Sequence, residues 1–301
     1  MPAHEIKLLS LIDIELESSF LVLARNMGIR TVAPTWGALI LGNPAGPILV
    51  DTGASDPEIM ERLHMTGSVA EGQGLDAQLA EHGLDRGDIH CILHTHTHID
   101  HAGGDAGFPM STPVVMNRRE LEYSASGLMG EQYPAEYVKH HIDRLHTPGA
   151  LRLLDLELSG PEEVFPGIVC EAAGGHTEGS MNVIVELADG EKACICGDVI
   201  YDVHNQIVDP TWQVLDFEPA VTGNHGTTKR QEKAAIKKAL GSGDYVIPIH
   251  DFPARVRNGR VLSRLGHAIP GSEQEVDHRT CAETGEMGLG RGEPVLPSPA
   301  V

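Results

Sequence analysis

The chain has few aromatic side chains, few cysteines and few basic residues for its length. Aromatics make up 4% of 301 residues, there are five cysteines, and 22 Lys and Arg face 43 Asp and Glu, a formal net charge of −21. Proteins that bind nucleic acids neutralise phosphates with basic patches, so this balance argues against a nucleic-acid partner. An acidic excess favours solubility but does not specify a substrate.

Long apolar runs and targeting segments are also lacking. No run approaches the ~18 apolar residues of a membrane span. The N-terminus carries acids within its apolar stretch and lacks a basic start, so we expect no signal peptide and no membrane partner. The cysteines form no framework of spaced pairs, which favours a reducing, cytoplasmic location. Cys194 and Cys196 alternate within an apolar run, which predicts one face of a buried strand rather than a metal site.

Apolar and turn-forming segments divide the chain into two similar β-rich halves. Periodicity predicts strands within residues 36–50 (two strands), 89–93, 113–116, 164–173, 182–187, 192–196 and 245–249, and helices within 56–84, 118–124, 133–145 and 229–240. Two sheets with helices outside predict an α+β fold, an αββα sandwich. Residues 1–270 are expected to form one domain. Residues 271–301, rich in Gly, Glu, Pro and Ser, are expected to form a mobile tail or a packing arm.

The most informative segment is HTHTHIDHAGG, residues 94–104, which follows a predicted buried strand and ends in two glycines. An HxHxDH pattern within it comprises His96, His98, Asp100 and His101. Imidazole nitrogens and carboxylate oxygens are ligands that suit zinc. In a tight turn the alternating histidines can serve one ion while the Asp-His pair serves a second about 3.5 Å away. The loop therefore predicts a metal site.

Three further residues follow other predicted strands. His176 comes after a strand and two glycines, Asp198 ends the run CICGD, and His250 ends the run YVIPIH. Each alone is weak evidence, because a single histidine at a strand end is usually structural. Together they place every possible ligand at the carboxyl end of a strand, as one shared site requires.

The order of the motifs ILVDTG, HTHTHIDHAGG, GGHTEGS, CGD and IHD resembles the metallo-β-lactamase superfamily over about residues 35–255. The resemblance implies the αββα fold and two zinc ions. It implies that His96, His98 and His176 bind the first zinc, that Asp100, His101 and His250 bind the second, and that Asp198 bridges them. Asp51 matches a buried supporting aspartate of the family, not a ligand. His94 lies outside the pattern and is expected to be a core or supporting residue.

Within the superfamily, Tyr201 favours the lactonases. His98 stands where a glutamate would resemble the diiron flavoprotein branch. Tyr201 falls three residues after Asp198, as in N-acyl homoserine lactonases, where a tyrosine polarises the substrate carbonyl. A packing role is the alternative. Met60, Leu63 and Met65 stand where lactonases wall their acyl pocket, although helix packing explains them equally well.

The resemblance implies hydrolysis of a small-molecule substrate by a metal-activated hydroxide, and a homodimer is possible. In this mechanism Asp100, besides being a ligand, passes a proton to the leaving alkoxide. Three histidines within or directly after one predicted helix, His140, His141 and His146, are expected on a solvated helix face rather than in an intersubunit metal site.

Other activities on the same metal site stay open. Residues 116–134 and 200–216 do not match the lactonase pattern, and hydrolytic dehalogenation of a chlorinated aromatic, as in chlorothalonil dehalogenase-like proteins, is one alternative. Trp212, Asn224 and His225 could line such a pocket or be structural.

A thioesterase resembling glyoxalase II is another alternative. It would need basic residues for glutathione in its C-terminal part. Four basic residues there are more simply the solvated face of one helix: Lys229, Arg230, Lys237 and Lys238. A non-catalytic metal-binding protein is the last alternative. In such a protein the open dinuclear site would have no function.

Overall fold

Two seven-stranded sheets form the framework of the protein. The computed structural model describes residues 4–25, 27–208, 218–224 and 226–264. Within these residues no helix has the length and apolar character that crossing a membrane requires. The predicted α+β sandwich is confirmed. The division into 1–270 and 271–301 stays a prediction, because residues 265–301 lie outside the described part of the chain.

The first sheet has the strand order β4-β1-β2-β3-β5-β6-β7. Its strands are β1 (Glu5–Glu17), β2 (Arg30–Leu41), β3 (Ile48–Val50), β4 (Thr66–Ser68), β5 (Cys91–Leu93), β6 (Val114–Asn117) and β7 (Leu151–Leu154). The run β3, β5, β6 and β7 is parallel, and the rest is antiparallel. The carboxyl ends of β3 and β5 therefore lie side by side.

The second sheet has the order β14-β13-β12-β11-β10-β9-β8. Its strands are β8 (Glu162–Phe165), β9 (Ile168–Ala172), β10 (Met181–Glu186), β11 (Lys192–Gly197), β12 (Tyr245–Pro248), β13 (Ala254–Arg257) and β14 (Arg260–Arg264). Strands β11 and β12 are parallel, whereas β9, β10 and β11 alternate in direction. The carboxyl ends of β9, β11 and β12 therefore share one edge of the sheet.

Helices connect and flank the strands. They are α1 (Leu75–Glu81), α2 (Arg118–Ala125), α3 (Ala135–Leu145), α4 (Leu156–Ser159) and α5 (Lys229–Gly241), with a 3₁₀ helix over Pro57–Leu63. Helix α5 begins with a capping box between Thr228 and Gln231, which satisfies backbone N–H groups that have no partner within the helix. The four basic residues predicted to form a solvated face, Lys229, Arg230, Lys237 and Lys238, are exposed.

The main core lies between the two sheets. Strand β11 shows how side-chain alternation builds it: Ala193 and Ile195 belong to the core between the sheets, and Cys194 and Cys196 face the other side, against α5. The prediction that both cysteines lie on one buried strand face is confirmed. A fully buried side chain of the size of Ile195 contributes roughly 1.5–3 kcal/mol through its removal from water.

Several sequence predictions of local structure were wrong. The helical spacing predicted for residues 56–84 is present in the 3₁₀ helix and in α1, but strand β4 lies between them. The 3₁₀ helix ends before His64, which has a left-handed φ of 58°. Gly67 makes this strand possible, because a Cβ there would lie 2.4 Å from the Pro57 carbonyl oxygen. The predicted strand 164–173 is split into β8 and β9 by a turn at Gly167, where φ is 76°. Strands β1, β7, β13 and β14 were not predicted.

Candidate metal centre

The loops after five strands bring the predicted ligands and the supporting residue Asp51 to one place. Asp51 follows β3, the HxHxDH loop follows β5, His176 follows β9, Asp198 follows β11, and His250 follows two residues after β12. These side chains are buried. Because donors from both sheets fall into common groups, the carboxyl ends of the two sets of strands meet at one end of the sandwich.

A first group of donors contains His96, His98, His176 and Asp198. Nδ1 of His98 lies 3.1 Å from Nε2 of His96 and 2.9 Å from Nε2 of His176. Oδ2 of Asp198 lies 3.7 Å and 3.5 Å from the same two Nε2 atoms. Three imidazole nitrogens and one carboxylate oxygen thus converge on one point, a set that suits a tetrahedral zinc ion.

A second group adjoins the first and contains Asp100, His101 and His250. Nε2 of His250 lies 3.3 Å from Oδ2 of Asp100. Oδ1 of Asp198 lies 3.2 Å from Nε2 of His101 and 3.3 Å from Nε2 of His250. One oxygen of Asp198 therefore faces each group, as a bridging carboxylate would.

The donor atoms are arranged to receive cations. The far ring nitrogens of three histidines have partners: Nδ1 of His101 is 3.0 Å from Asp51, Nδ1 of His250 is 2.8 Å from the Pro34 carbonyl oxygen, and Nδ1 of His96 is 3.2 Å from Oγ1 of Thr95. Such contacts fix the tautomer that leaves Nε2 free to bind a metal. Within the described residues, Nε2 of His101 and Oδ1 of Asp198 are buried without a hydrogen-bond partner. The residues fit two metal ions.

The electrostatics of the two groups differ. Burial and the neighbouring histidines hold the pKa of His96 well below its usual value, which favours the neutral, ligand-competent imidazole. Burial lowers the pKa of His250, but Asp198 and Asp100 outweigh it and raise that pKa to about 10. A proton at His250 therefore competes with a cation for the second group.

Asp51 holds the HxHxDH loop from behind. Its carboxylate accepts hydrogen bonds from the backbone N–H (2.9 Å) and hydroxyl (2.6 Å) of Thr95, and lies 3.2 Å from Nδ1 of His94 as well as 3.0 Å from His101. Burial alone would raise the pKa of Asp51, but His101 and His94 lower it below its usual value. Its left-handed backbone, with φ of 59°, is a strained conformation of the kind that surrounding contacts must maintain.

A third group, His94, Asp105 and His141, lies behind Asp51. Nε2 of His94 and Nε2 of His141 lie 2.8 Å and 2.9 Å from Oδ2 of Asp105, distances of ordinary hydrogen bonds. His94 is thus a buried supporting residue, as predicted. The solvated position predicted for His141 was wrong, since it is 1% exposed. Asp105 was missed, because nothing in the sequence indicates that α3 packs against this loop.

Tyr201 reaches the site. Its ring stacks on His250 and lies 5.6 Å from the ring of His176. It lines a cavity of about 320 Å³ together with His98, Asp100, His176, Asp198 and His250. Apolar side chains form the rest of the wall, among them Ile14, Leu16, Leu21, Leu23, Met60, Leu63 and Met65. Asn224 also lines the cavity, whereas Trp212 and His225 lie outside the described residues.

An αββα sandwich with two adjoining groups of histidine and aspartate donors at its strand ends defines a class of metal-dependent enzymes. The chain belongs to the metallo-β-lactamase superfamily, whose family model matches residues 31–250. The predictions of this family, of its fold and of a metal-dependent hydrolase are confirmed.

Similar proteins include several lactonases. An N-acyl homoserine lactonase of Bacillus sp is 27% identical over 215 residues, 68% of this chain and 78% of that protein. An N-acyl homoserine lactonase of Bacillus cereus is 28% identical over the same shares of the two chains.

Among solved structures, a probable metal-dependent hydrolase from Staphylococcus aureus has a TM-score of 0.66 at 17% identity, covering 87% of this chain and 96% of that chain. An N-acyl homoserine lactone hydrolase with N-hexanoyl-L-homoserine bound at its catalytic metal centre has a TM-score of 0.61 at 22% identity, covering 79% and 88%. At these identities the likeness shows the fold alone.

Proposed function

We propose that the protein is a dizinc lactonase that opens the ring of an N-acyl homoserine lactone. In this proposal seven side chains bind the two ions. The first ion would be held by His96, His98 and His176 and the second by Asp100, His101 and His250, and Asp198 would offer one carboxylate oxygen to each. The mixed nitrogen and oxygen donors favour zinc, although manganese, iron or cobalt can occupy such a set.

The observation that carries the proposal is the position of Tyr201 beside the donors, in a cavity with otherwise largely apolar walls. A lactone carbonyl placed among the donors meets the tyrosine hydroxyl, and an acyl chain extends along the walls. Burial of each CH₂ group there contributes about 0.8 kcal/mol. The relatives named N-acyl homoserine lactonase support the same substrate class.

Two bound zinc ions would lower the pKa of water from 15.7 to about 7 and supply a nucleophile at neutral pH. Tyr201 donates its hydroxyl proton in a hydrogen bond to the carbonyl oxygen, where negative charge develops. Burial and the carboxylates of Asp198 and Asp100 raise the pKa of Tyr201 well above its usual value, so the hydroxyl keeps its proton. One such donor contributes ~3 kcal/mol to the stabilisation of the transition state.

Asp100 has a second task in this proposal. It lines the cavity, and Oδ2 faces His250 at 3.3 Å. When hydroxide adds to the carbonyl carbon, the Asp100 carboxylate takes up the proton of the added hydroxyl group. As the ring C–O bond breaks, Asp100 passes this proton to the leaving alkoxide, and the product is a carboxylate. No covalent intermediate with the protein is required, so no serine or cysteine nucleophile is assigned.

A panel of substrates tests the proposal. Zinc-loaded protein is assayed against N-hexanoyl homoserine lactone, a γ-lactone without an acyl chain, S-lactoylglutathione and a chlorinated aromatic nitrile. We expect one proton released per homoserine lactone opened, with no turnover of the other three at a comparable kcat/KM. A new thiol would identify a thioesterase and chloride release a dehalogenase, and either as the dominant activity would contradict the proposal. Protein stripped of metal is the matched control.

A further inference from the structure

Glu120 is a buried carboxylate outside the proposed ligand set. It lies in α2 and is 0% exposed. Its Oε1 accepts hydrogen bonds from the backbone N–H of Thr97 (2.8 Å), the hydroxyl of Thr97 (3.2 Å) and the hydroxyl of Tyr133 (2.9 Å). Its Oε2 accepts one from the hydroxyl of Thr177 (2.6 Å). Four uncharged donors thus surround the carboxylate, three at Oε1 and one at Oε2.

Two of these donor residues, Thr97 and Thr177, belong to the two loops that carry the three histidines of the first group. Thr97 stands between His96 and His98, and Thr177 directly follows His176. The ring of Tyr133 is packed edge-on against the ring of His98, with centroids 4.7 Å apart. Oε1 of Glu120 therefore holds the loop of Thr97, and Oε2 holds the loop of Thr177. The remaining donor residue, Tyr133, contacts the ring of His98.

The backbone of Glu120 is in close contact with the backbone at Gly179. A Cβ on Gly179 would lie 2.0 Å from the backbone nitrogen of Glu120 and 2.3 Å from its Cα. The loop that carries His176 is therefore pressed directly against the first turn of α2. This contact and the hydrogen bond to Thr177 fix that loop at two points.

We propose that Glu120 is a positioning residue that sets the spacing of His98 and His176 and so the affinity of the first metal site. The inference rests on the ligand set proposed above. The second group is held by other contacts, since Asp51 faces His101 and the Pro34 carbonyl oxygen faces His250. Loss of Glu120 therefore weakens one site and not the other, an effect that general destabilisation would not produce.

Metal titration of the two sites separately tests this selectivity. In a His250→Ala background the first site is measured alone, and in a His98→Ala background the second. Zn²⁺ or Co²⁺ affinity of the metal-free protein is obtained by competition with a chelator, and the Co²⁺ absorption spectrum reports the ligand geometry. Glu120→Met removes all four hydrogen bonds at nearly constant shape, and Glu120→Gln restores most of them. The matched control is Glu122→Gln, on the exposed face of the same helix.

We expect Glu120→Met to weaken the first site at least about 10-fold, as loss of a contact behind the ligands typically does, and to alter its Co²⁺ spectrum. The second site should change less than about twofold, and Glu120→Gln should recover most of the loss. Thr177→Val, which removes the hydrogen bond to Oε2 of Glu120 together with the contact to the Ser180 hydroxyl (2.7 Å), should give a smaller loss that largely disappears in the Glu120→Met background. If Glu120→Met fails to fold, the affinities of the first site in Thr177→Val and in Glu120→Gln test the proposal instead.

Equal losses at both sites, or none at the first, would overturn the role of Glu120 while leaving the ligand set intact. A parent protein that binds no ions would refute the ligand set itself, and the role of Glu120 with it. The two failures are therefore distinct.

Discussion

The ring of Tyr201 lies parallel to the ring of His250, with the centroids 5.2 Å apart and the planes inclined by 4°. Tyr201 comes from the turn after β11, and His250 from the turn after the parallel strand β12. Because neighbouring parallel strands end at the same edge of a sheet, the segment that contains Tyr201 lies beside the donors. The tyrosine hydroxyl is thereby kept beside the metal groups without being one of their ligands.

Replacement of Tyr201 by phenylalanine should separate catalysis from metal binding. The ring and its stacking are retained, so we expect both ions to stay bound. Loss of one hydrogen-bond donor to the developing oxyanion should lower kcat by about 10²-fold with little change in KM. Steady-state kinetics and metal analysis of the same preparation check this. Tyr245→Phe, whose hydroxyl contacts Glu191 and Arg255 away from the site, should be unchanged. Unaltered kinetics in Tyr201→Phe would remove the tyrosine from the mechanism.

The apolar wall should set chain-length preference. Leu63 is half-buried at the end of the 3₁₀ helix and lines the cavity. We expect Leu63→Trp to fill the outer cavity and raise KM for N-decanoyl homoserine lactone about 10-fold, equivalent to ~1.4 kcal/mol, with N-butanoyl homoserine lactone almost unaffected. Leu158→Trp is the matched control, because Leu158 is 89% exposed. A uniform change for both chain lengths would indicate that acyl chains do not lie along this wall.

The contact between Gly179 and α2 should be sensitive to a single methyl group. In Gly179→Ala the new Cβ meets backbone atoms at 2.0–2.6 Å, which cannot rotate away, so either the loop or the helix must shift. We expect a loss of about 1–3 kcal/mol in the free energy of unfolding. Thermal or denaturant unfolding of the metal-free protein measures it. Gly241→Ala meets nothing within 4 Å and should stay within about 0.5 kcal/mol of the parent, whereas equal effects would contradict the packing described.

Thiol reactivity should reflect burial. Burial raises the pKa of Cys91 and that of Cys170 to about 12 and raises that of Cys194 further above its usual value. At pH 8 a thiol of pKa 12 is ionised in only about one molecule in 10⁴, and the thiolate is the reactive form. In a Cys281→Ser variant, we expect the native protein to react with a disulfide reagent far more slowly than the unfolded chain. Rapid reaction of the native protein at pH 8 would contradict the buried positions.

The residues proposed as ligands could be found from the sequence because each follows an apolar strand. In a parallel or alternating sheet those strand ends meet at one edge, so His176, Asp198 and His250 could be assigned to one site before any coordinates. Tyr201 could be proposed only by resemblance, because its orientation depends on the turn after β11.

The supporting residues could not be predicted, because they depend on how helices pack. Glu120 and His141 lie in helical segments whose polar residues look solvated in the sequence, yet both are buried. Only contact of α2 and α3 with the ligand loops turns them inward. Strand β1 was likewise missed, since the middle of it does not alternate: the strand is buried on both faces along most of its length.

The most direct test of the account is a zinc titration of metal-free protein, with bound metal counted per chain. We predict two ions for the parent and for His146→Ala, an exposed histidine outside the site. We predict one tightly bound ion for His98→Ala and for His250→Ala, and neither at full affinity for Asp198→Asn. Fewer than two ions in the parent, or two ions bound with unchanged affinity in Asp198→Asn, would contradict a dinuclear centre bridged by this carboxylate.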